Sequence, residues 1–180
     1  MRRLDALAEP QAREALARCC GSHRWVEAML ARRPFGTREA LERAASEIWF
    51  GLGREDWLEA FSHHPRIGDT ERLRERFGAS GRWSEGEQAG VRGAPEAVLE
   101  ALAEGNRRYE QRFGWIFLIC ASGLDAANML AALRERLRND PETELRIAAS
   151  EQDRITRLRL GKLLASLGHE QAASGPAAED

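Results

Sequence analysis

Residues Asp125 to Leu167 read DAANMLAALRERLRNDPETELRIAASEQDRITRLRLGKLLASL, and their apolar residues recur at steps of three and four rather than two. That spacing gathers them on one face of a chain turning every 3.6 residues, so the stretch predicts helices and no strand. Asp125 is placed to cap a first helix, whose inward side carries Met129, Leu130, Leu133 and Leu137. Asn139-Asp140-Pro141 then reads as a stop, a cap and a proline at the first helical position, where its missing N–H would have had no helical partner. A second helix is expected from Pro141 to about Leu167.

The same period runs toward the N-terminus. Pro10 starts a helix through Cys20, and Ser22 to Arg33 forms another with Trp25, Val26, Met29 and Leu30 on one side. Pro34-Phe35-Gly36 breaks it, and Thr37 caps a helix whose inward stripe is Leu41, Ala44 and Ile48 beside Trp49. After Gly51 and Gly53 a short helix bearing Trp57, Leu58 and Phe61 leads into the loop Ser62 to Asp69. Pro95 opens a long helix through Leu99, Leu102, Asn106, Tyr109 and Phe113, stopped by Gly114. The apolar run Trp115 to Ala121 is either a buried strand or a buried helical segment, which periodicity cannot separate at that length. The expected fold is an all-α, single-domain helical bundle of roughly seven to nine helices over residues 1–167. Residues 168–180, rich in Ala, Gly and Ser with an acidic end, are expected to be a disordered tail.

Composition agrees with one folded domain. The chain has 180 residues, against about 150 per domain, and a chain of this size buries about 70% of its unfolded surface without a disulfide or metal staple. Hydrophobic residues make up 43%, charged residues 31%, and mean hydropathy is -0.52, which excludes disordered, collagen-like and membrane-embedded classes. A formal net charge of -2 leaves no strong field for phosphate backbones or anionic lipid, so neither nucleic acid nor membrane is an expected partner. Lys162 is the only lysine, which leaves only that residue or the N-terminus for any Schiff-base role. Cys19, Cys20 and Cys120 match neither a zinc-ligand nor a disulfide pattern. They suit a reducing compartment. No apolar segment follows the arginines near Met1, and a cytoplasmic setting is expected. The last three residues, Ala178-Glu179-Asp180, are not a peroxisomal address.

Four places can carry chemistry. His63-His64-Pro65-Arg66 holds two of the four histidines, and Pro65 disfavours helix at His64, leaving an imidazole at a helix end where it can act as acid or base near neutral pH. Taken alone, the pair reads more readily as two surface-loop histidines. Ser84-x-x-Glu87 is a capping box that would also put a hydroxyl, a carboxylate and the Gln88 amide at the positive end of a helix. On the last helix Ala148, Gln152, Ile155, Arg159 and Leu163 follow one another at steps of three and four, so Arg159 interrupts an apolar face. A guanidinium there is costly unless it is paired, snorkels, or holds a ligand. Arg157 falls on another face and reads as a solvated charge. If Trp115 to Ala121 is not helical, its backbone N–H and C=O groups can orient a small polar ligand. Cys120 within it reads as a small buried hydrophobe.

In order along the chain these pieces resemble one family. They are Trp25 with Arg33-Pro34-Phe35; His64-Pro65-Arg66-Ile67-Gly68; Ser84-x-x-Glu87-Gln88-Ala89-Gly90; Asn106-x-x-Tyr109-x-x-x-Phe113-Gly114-x-x-Phe117; Arg136-Leu137-x-Asn139; Glu144-Leu145; and Arg157-Leu158-Arg159-Leu160. The family is the 2-oxo-4-hydroxy-4-carboxy-5-ureidoimidazoline (OHCU) decarboxylases of urate catabolism. The resemblance implies an all-helical homodimer with no metal and no organic cofactor that converts a ureide to (S)-allantoin. It places the catalytic histidine on His64, with Glu87 beside it. Substrate contacts fall on Pro65, Ser84, Gln88, the backbone of Phe117, Leu118, Ile119, Cys120 and Ala121, and Arg159. His64, Ser84, Glu87, Gln88 and Arg159 are then expected to meet around one small pocket. Trp115-Ile116 departs from the family's usual Phe-Pro, and His63 from its usual small residue. A helical binding or regulatory module, or a related lyase acting on another ureide, are the competing readings.

Overall fold

The computed structural model describes residues 2–65 and 96–169, and every regular element in them is helical. Among the described residues there are eight: α1 (Arg2–Ala6), α2 (Glu9–Ala17), α3 (His23–Ala31), α4 (Arg38–Gly51), α5 (Arg54–Ser62), α6 (Glu96–Phe113), α7 (Ala126–Arg136) and α8 (Pro141–His169). The all-α expectation holds. No described helix is long and apolar enough to cross a membrane.

The start signals work as read. Ser22 Oγ accepts from the Trp25 N–H at 3.3 Å, Thr37 Oγ1 from Ala40 N–H at 3.1 Å, and Asp125 Oδ1 from Asn128 N–H at 2.7 Å. Each bond satisfies one amide that the first turn leaves without a helical partner. At Asp140 the carboxylate accepts from the N–H groups of Glu142 and Thr143, and these bonds hold its pKa below the usual carboxylate range. Thr37 stands clear of the core, so Thr37→Ala isolates the cap. The expected loss is about 1 kcal/mol of unfolding free energy, read from the shift of the urea midpoint at unchanged slope.

Several boundaries differ from the sequence reading. The helix at Pro10 ends at Ala17 rather than Cys20, because Cys19 and Cys20 N–H groups both turn back to the Leu16 C=O. α1 carried no signal strong enough to predict, being five residues long. α8 runs through Gly168 and His169, two residues into the predicted tail; residues 170–180 lie outside the described residues. Trp115 to Ala121 is neither strand nor helix but irregular chain. Gly114, with φ of 84°, ends α6 by taking the left-handed conformation that costs other residues about 1 kcal/mol or more.

Contacts divide the chain into two compact units, residues 1–57 with 153–180, and residues 58–152. In the first, Leu16, Trp25, Met29, Leu41, Trp49 and Leu160 are fully or almost fully buried. Two of the unit's indole N–H groups are satisfied by backbone carbonyls: Trp25 donates to the Ala45 C=O at 3.0 Å and Trp57 to the Trp49 C=O at 2.9 Å. Asp5 on α1 accepts from the N–H groups of Phe35 and Gly36, while Arg33 donates to the carbonyls of Asp5 and Leu7. This tethers the short first helix to the Arg33-Pro34-Phe35 turn. In the second unit Phe61, Leu102, Tyr109, Phe117, Met129 and Leu133 form the core. α6 and α7 approach so closely that a Cβ on Gly105 would sit 2.6 Å from Leu133 Cδ2.

Candidate functional site

His64 follows the last turn of α5. That turn tightens as it ends: the N–H of His63 donates to the Ala60 C=O and that of His64 to the Phe61 C=O, each three residues back, and Pro65 follows immediately. The two histidines therefore leave the helix differently. His64 is buried, 7% exposed, whereas His63 is exposed and Pro65 half-buried. The reading of the pair as two surface-loop residues fails for His64 and holds for His63.

Arg159 sits where its spacing put it. Ala148, Gln152, Ile155, Arg159 and Leu163 are all buried along α8, and Arg159 is 8% exposed. Arg157 is exposed and pairs with Glu42 at 3.4 Å, as a solvated charge should. His64 belongs to the second unit and Arg159 to the first. Ser84, Glu87 and Gln88 lie outside the described residues.

The segment after α6 is where the structure says most. Phe117, Leu118 and Ala121 are buried, Ile119 and Cys120 half-buried, so Cys120 is not the enclosed hydrophobe its sequence suggested. Irregular chain cannot satisfy its own polar groups, and a buried one must find partners outside itself. Here they are charged side chains. Arg136 Nη1, at the end of α7, donates to the Leu118 C=O at 2.7 Å, and Glu151 Oε2 on α8 accepts from the Cys120 N–H at 2.8 Å. The Arg136 guanidinium also lies over the Phe117 ring, 4.7 Å from its centroid.

Arg136 is held in turn. Its Nε and Nη2 donate to Glu144 Oε1 at 2.8 and 2.6 Å, Asn139 Nδ2 donates to Glu144 Oε2 at 2.8 Å, and the Tyr109 hydroxyl donates to Glu144 Oε1. Burial pushes the Tyr109 hydroxyl above its ordinary range, which keeps it protonated and a donor. Glu144 is fully enclosed and Arg136 7% exposed. A carboxylate in that position is tolerable because a guanidinium, an amide and a phenol all donate to it. Tyr109, Arg136, Asn139 and Glu144 were legible as parts of the ordered motifs, but no role could be read for them. The available signal was Arg136 itself, which continues the Met129 and Leu133 stripe of α7 into the core and so calls for a buried anion.

The family model for OHCU decarboxylase matches residues 5–161. The chain belongs to the OHCU decarboxylase family. It is 42% identical over 146 residues to the uric acid degradation bifunctional protein TTL of Arabidopsis thaliana, a match covering 81% of this chain and 45% of that one. Against the mouse 2-oxo-4-hydroxy-4-carboxy-5-ureidoimidazoline decarboxylase the identity is 30% over 149 residues, 83% of each chain. The chain spans less than half the length of the bifunctional relatives it matches. Among solved structures, a crystal structure of OHCU decarboxylase in the presence of (S)-allantoin superposes with a TM-score of 0.68 at 41% identity, covering 83% of this chain and 96% of that one. In this member of the OHCU decarboxylase family, the Tyr109, Phe117, Arg136 and Glu144 motif residues thus form one buried network, and His64 is an enclosed imidazole at a helix end.

Proposed function

We propose that the chain is a cofactor-independent carboxy-lyase that converts OHCU to (S)-allantoin. The observation that carries this reading is its 41% identity, across 83% of its length, to a decarboxylase crystallised with (S)-allantoin. The buried His64 and the anchored chain at 117–121 support it. So does the chemistry of the substrate.

OHCU has a ring carbon bearing both hydroxyl and carboxylate, next to a C=N carbon that bears the ureido group. When the C–CO2 bond breaks, its electron pair can form a carbon–carbon double bond while the C=N pair moves to nitrogen, leaving an enol. The substrate is thus its own electron sink, and the protein's part is orientation, charge placement and a proton delivered to one face. In this reading His64 is the acid/base that handles the hydroxyl proton and the enol, and Glu87 orients the hydroxyl or tunes His64. Ser84 and Gln88 hold ring and ureido groups, with Pro65 lining the same pocket and the Phe117 to Ala121 backbone orienting the ligand. Arg159 binds a carbonyl or developing oxyanion, since a clamp on the departing carboxylate would stabilise the ground state and slow its loss. A homodimer and a cytoplasmic setting belong to the same reading.

The test must read chirality, because uncatalysed decay of OHCU yields racemic allantoin. Urate is mixed with urate oxidase, hydroxyisourate hydrolase and this protein, and circular dichroism is followed. A growing signal of (S)-allantoin, absent when this chain is left out, is the expected result. Allantoin accumulating at the same rate without optical activity would overturn the reading.

A further inference from the structure

Family membership accounts for the residues that meet the ureide; it leaves open why a buried, irregular stretch of chain would hold one shape. Three groups of that stretch are fixed by charged side chains. Arg136 covers the Phe117 ring and binds the Leu118 C=O, and Glu151 binds the Cys120 N–H. Between them stands Ile119, half-buried and flanked by the two anchors. Two anchored neighbours leave its peptide groups little freedom to rotate, so they present donor and acceptor in a fixed direction. Arg136 can do this only because Glu144 immobilises it: two of its nitrogens are bonded to Glu144 Oε1, which leaves Nη1 aimed at the Leu118 carbonyl. The guanidinium is a rigid planar fork, so fixing one edge fixes the other.

We infer that Arg136, locked by Glu144, is a positioning residue that holds the Phe117–Cys120 backbone in the conformation that receives the ureide. The inference rests on the reading of that backbone as substrate-contacting. It makes Tyr109 and Asn139 part of the same device, since both donate to the carboxylate that fixes the guanidinium. A packing role alone predicts something different: any equal loss of stability in this unit would then disturb binding equally.

Arg136→Lys keeps the charge but offers a single ammonium, which cannot span Glu144 and the Leu118 carbonyl in the fork geometry. Glu144→Gln keeps shape and loosens the lock, and it serves if Arg136→Lys fails to fold. Met129→Ala is the matched control, a core truncation two turns earlier on α7, roughly 10 Å along the helix. Amide exchange of the 117–121 peptide and the dissociation constant for (S)-allantoin are measured well below each unfolding temperature. Arg136→Lys should raise exchange there and weaken (S)-allantoin binding, each by about tenfold, with Glu144→Gln smaller in the same direction and Met129→Ala near wild type. Unchanged exchange in both network variants, or equal weakening of binding by Met129→Ala, would overturn the positioning role. Failure of the wild-type chain to bind (S)-allantoin would instead count against the functional reading, and the exchange result would still decide whether Arg136 shapes the segment.

Discussion

His64→Asn should lower enantioselective turnover by about 10²-fold or more, with the remaining allantoin approaching the racemate. Asparagine is smaller than the imidazole but keeps a hydrogen-bonding nitrogen near the Nδ1 position, so the substitution removes proton transfer near neutral pH while disturbing packing less than alanine would. The position is 7% exposed, which makes a polar replacement that fills part of the space the right probe; alanine would add a larger cavity to the effect. Chirality and rate must be read together on the purified variant, since only the catalysed route selects a face. Turnover of (S)-allantoin at near-wild-type rate would remove His64 from proton delivery. His63→Asn, at the exposed neighbour, is the internal comparison.

The second large effect is on folding. Glu144→Ala should cost about 3–5 kcal/mol, because it strands the Arg136 guanidinium in a site with almost no water while also taking the partner of the Tyr109 hydroxyl. Most of that loss is the penalty of an uncompensated buried charge rather than the worth of the pair. The distinction has a measurable consequence: Arg136→Met combined with Glu144→Leu should recover a large part of the stability lost by Glu144→Ala alone, since removing both charges leaves neither to be solvated. Urea denaturation of the two variants decides it. A double variant as unstable as the single one would mean that the bonds to Asn139 and the Leu118 carbonyl, not the charge balance, hold this part of the second unit together.

Such a network explains why some of this chain was legible before any coordinates and some was not. Helix starts at Ser22, Thr37, Asp125 and Asp140 are decided by one side chain reaching an amide two or three residues on, so a linear reading finds them. The burial of Arg159 was equally readable, because the period of a helix says which residues share its face. The segment 115–121 was not. Its conformation depends on groups that reach it from Arg136 and Glu151, 18 and 31 residues further along the chain, and no local preference encodes them.

Local hydrogen bonding and periodicity therefore determined, from the sequence alone, that this protein is a set of helices, where most of them begin, and that a histidine follows one of them; the ordered motifs pointed to its family. Which histidine is enclosed, and what keeps a strandless, helixless stretch in place, was decided by tertiary structure. The physical reason is the same in both cases. Burial and the pairing of buried charges are properties of groups distant in sequence and adjacent in space, and they exist only once the helices have packed.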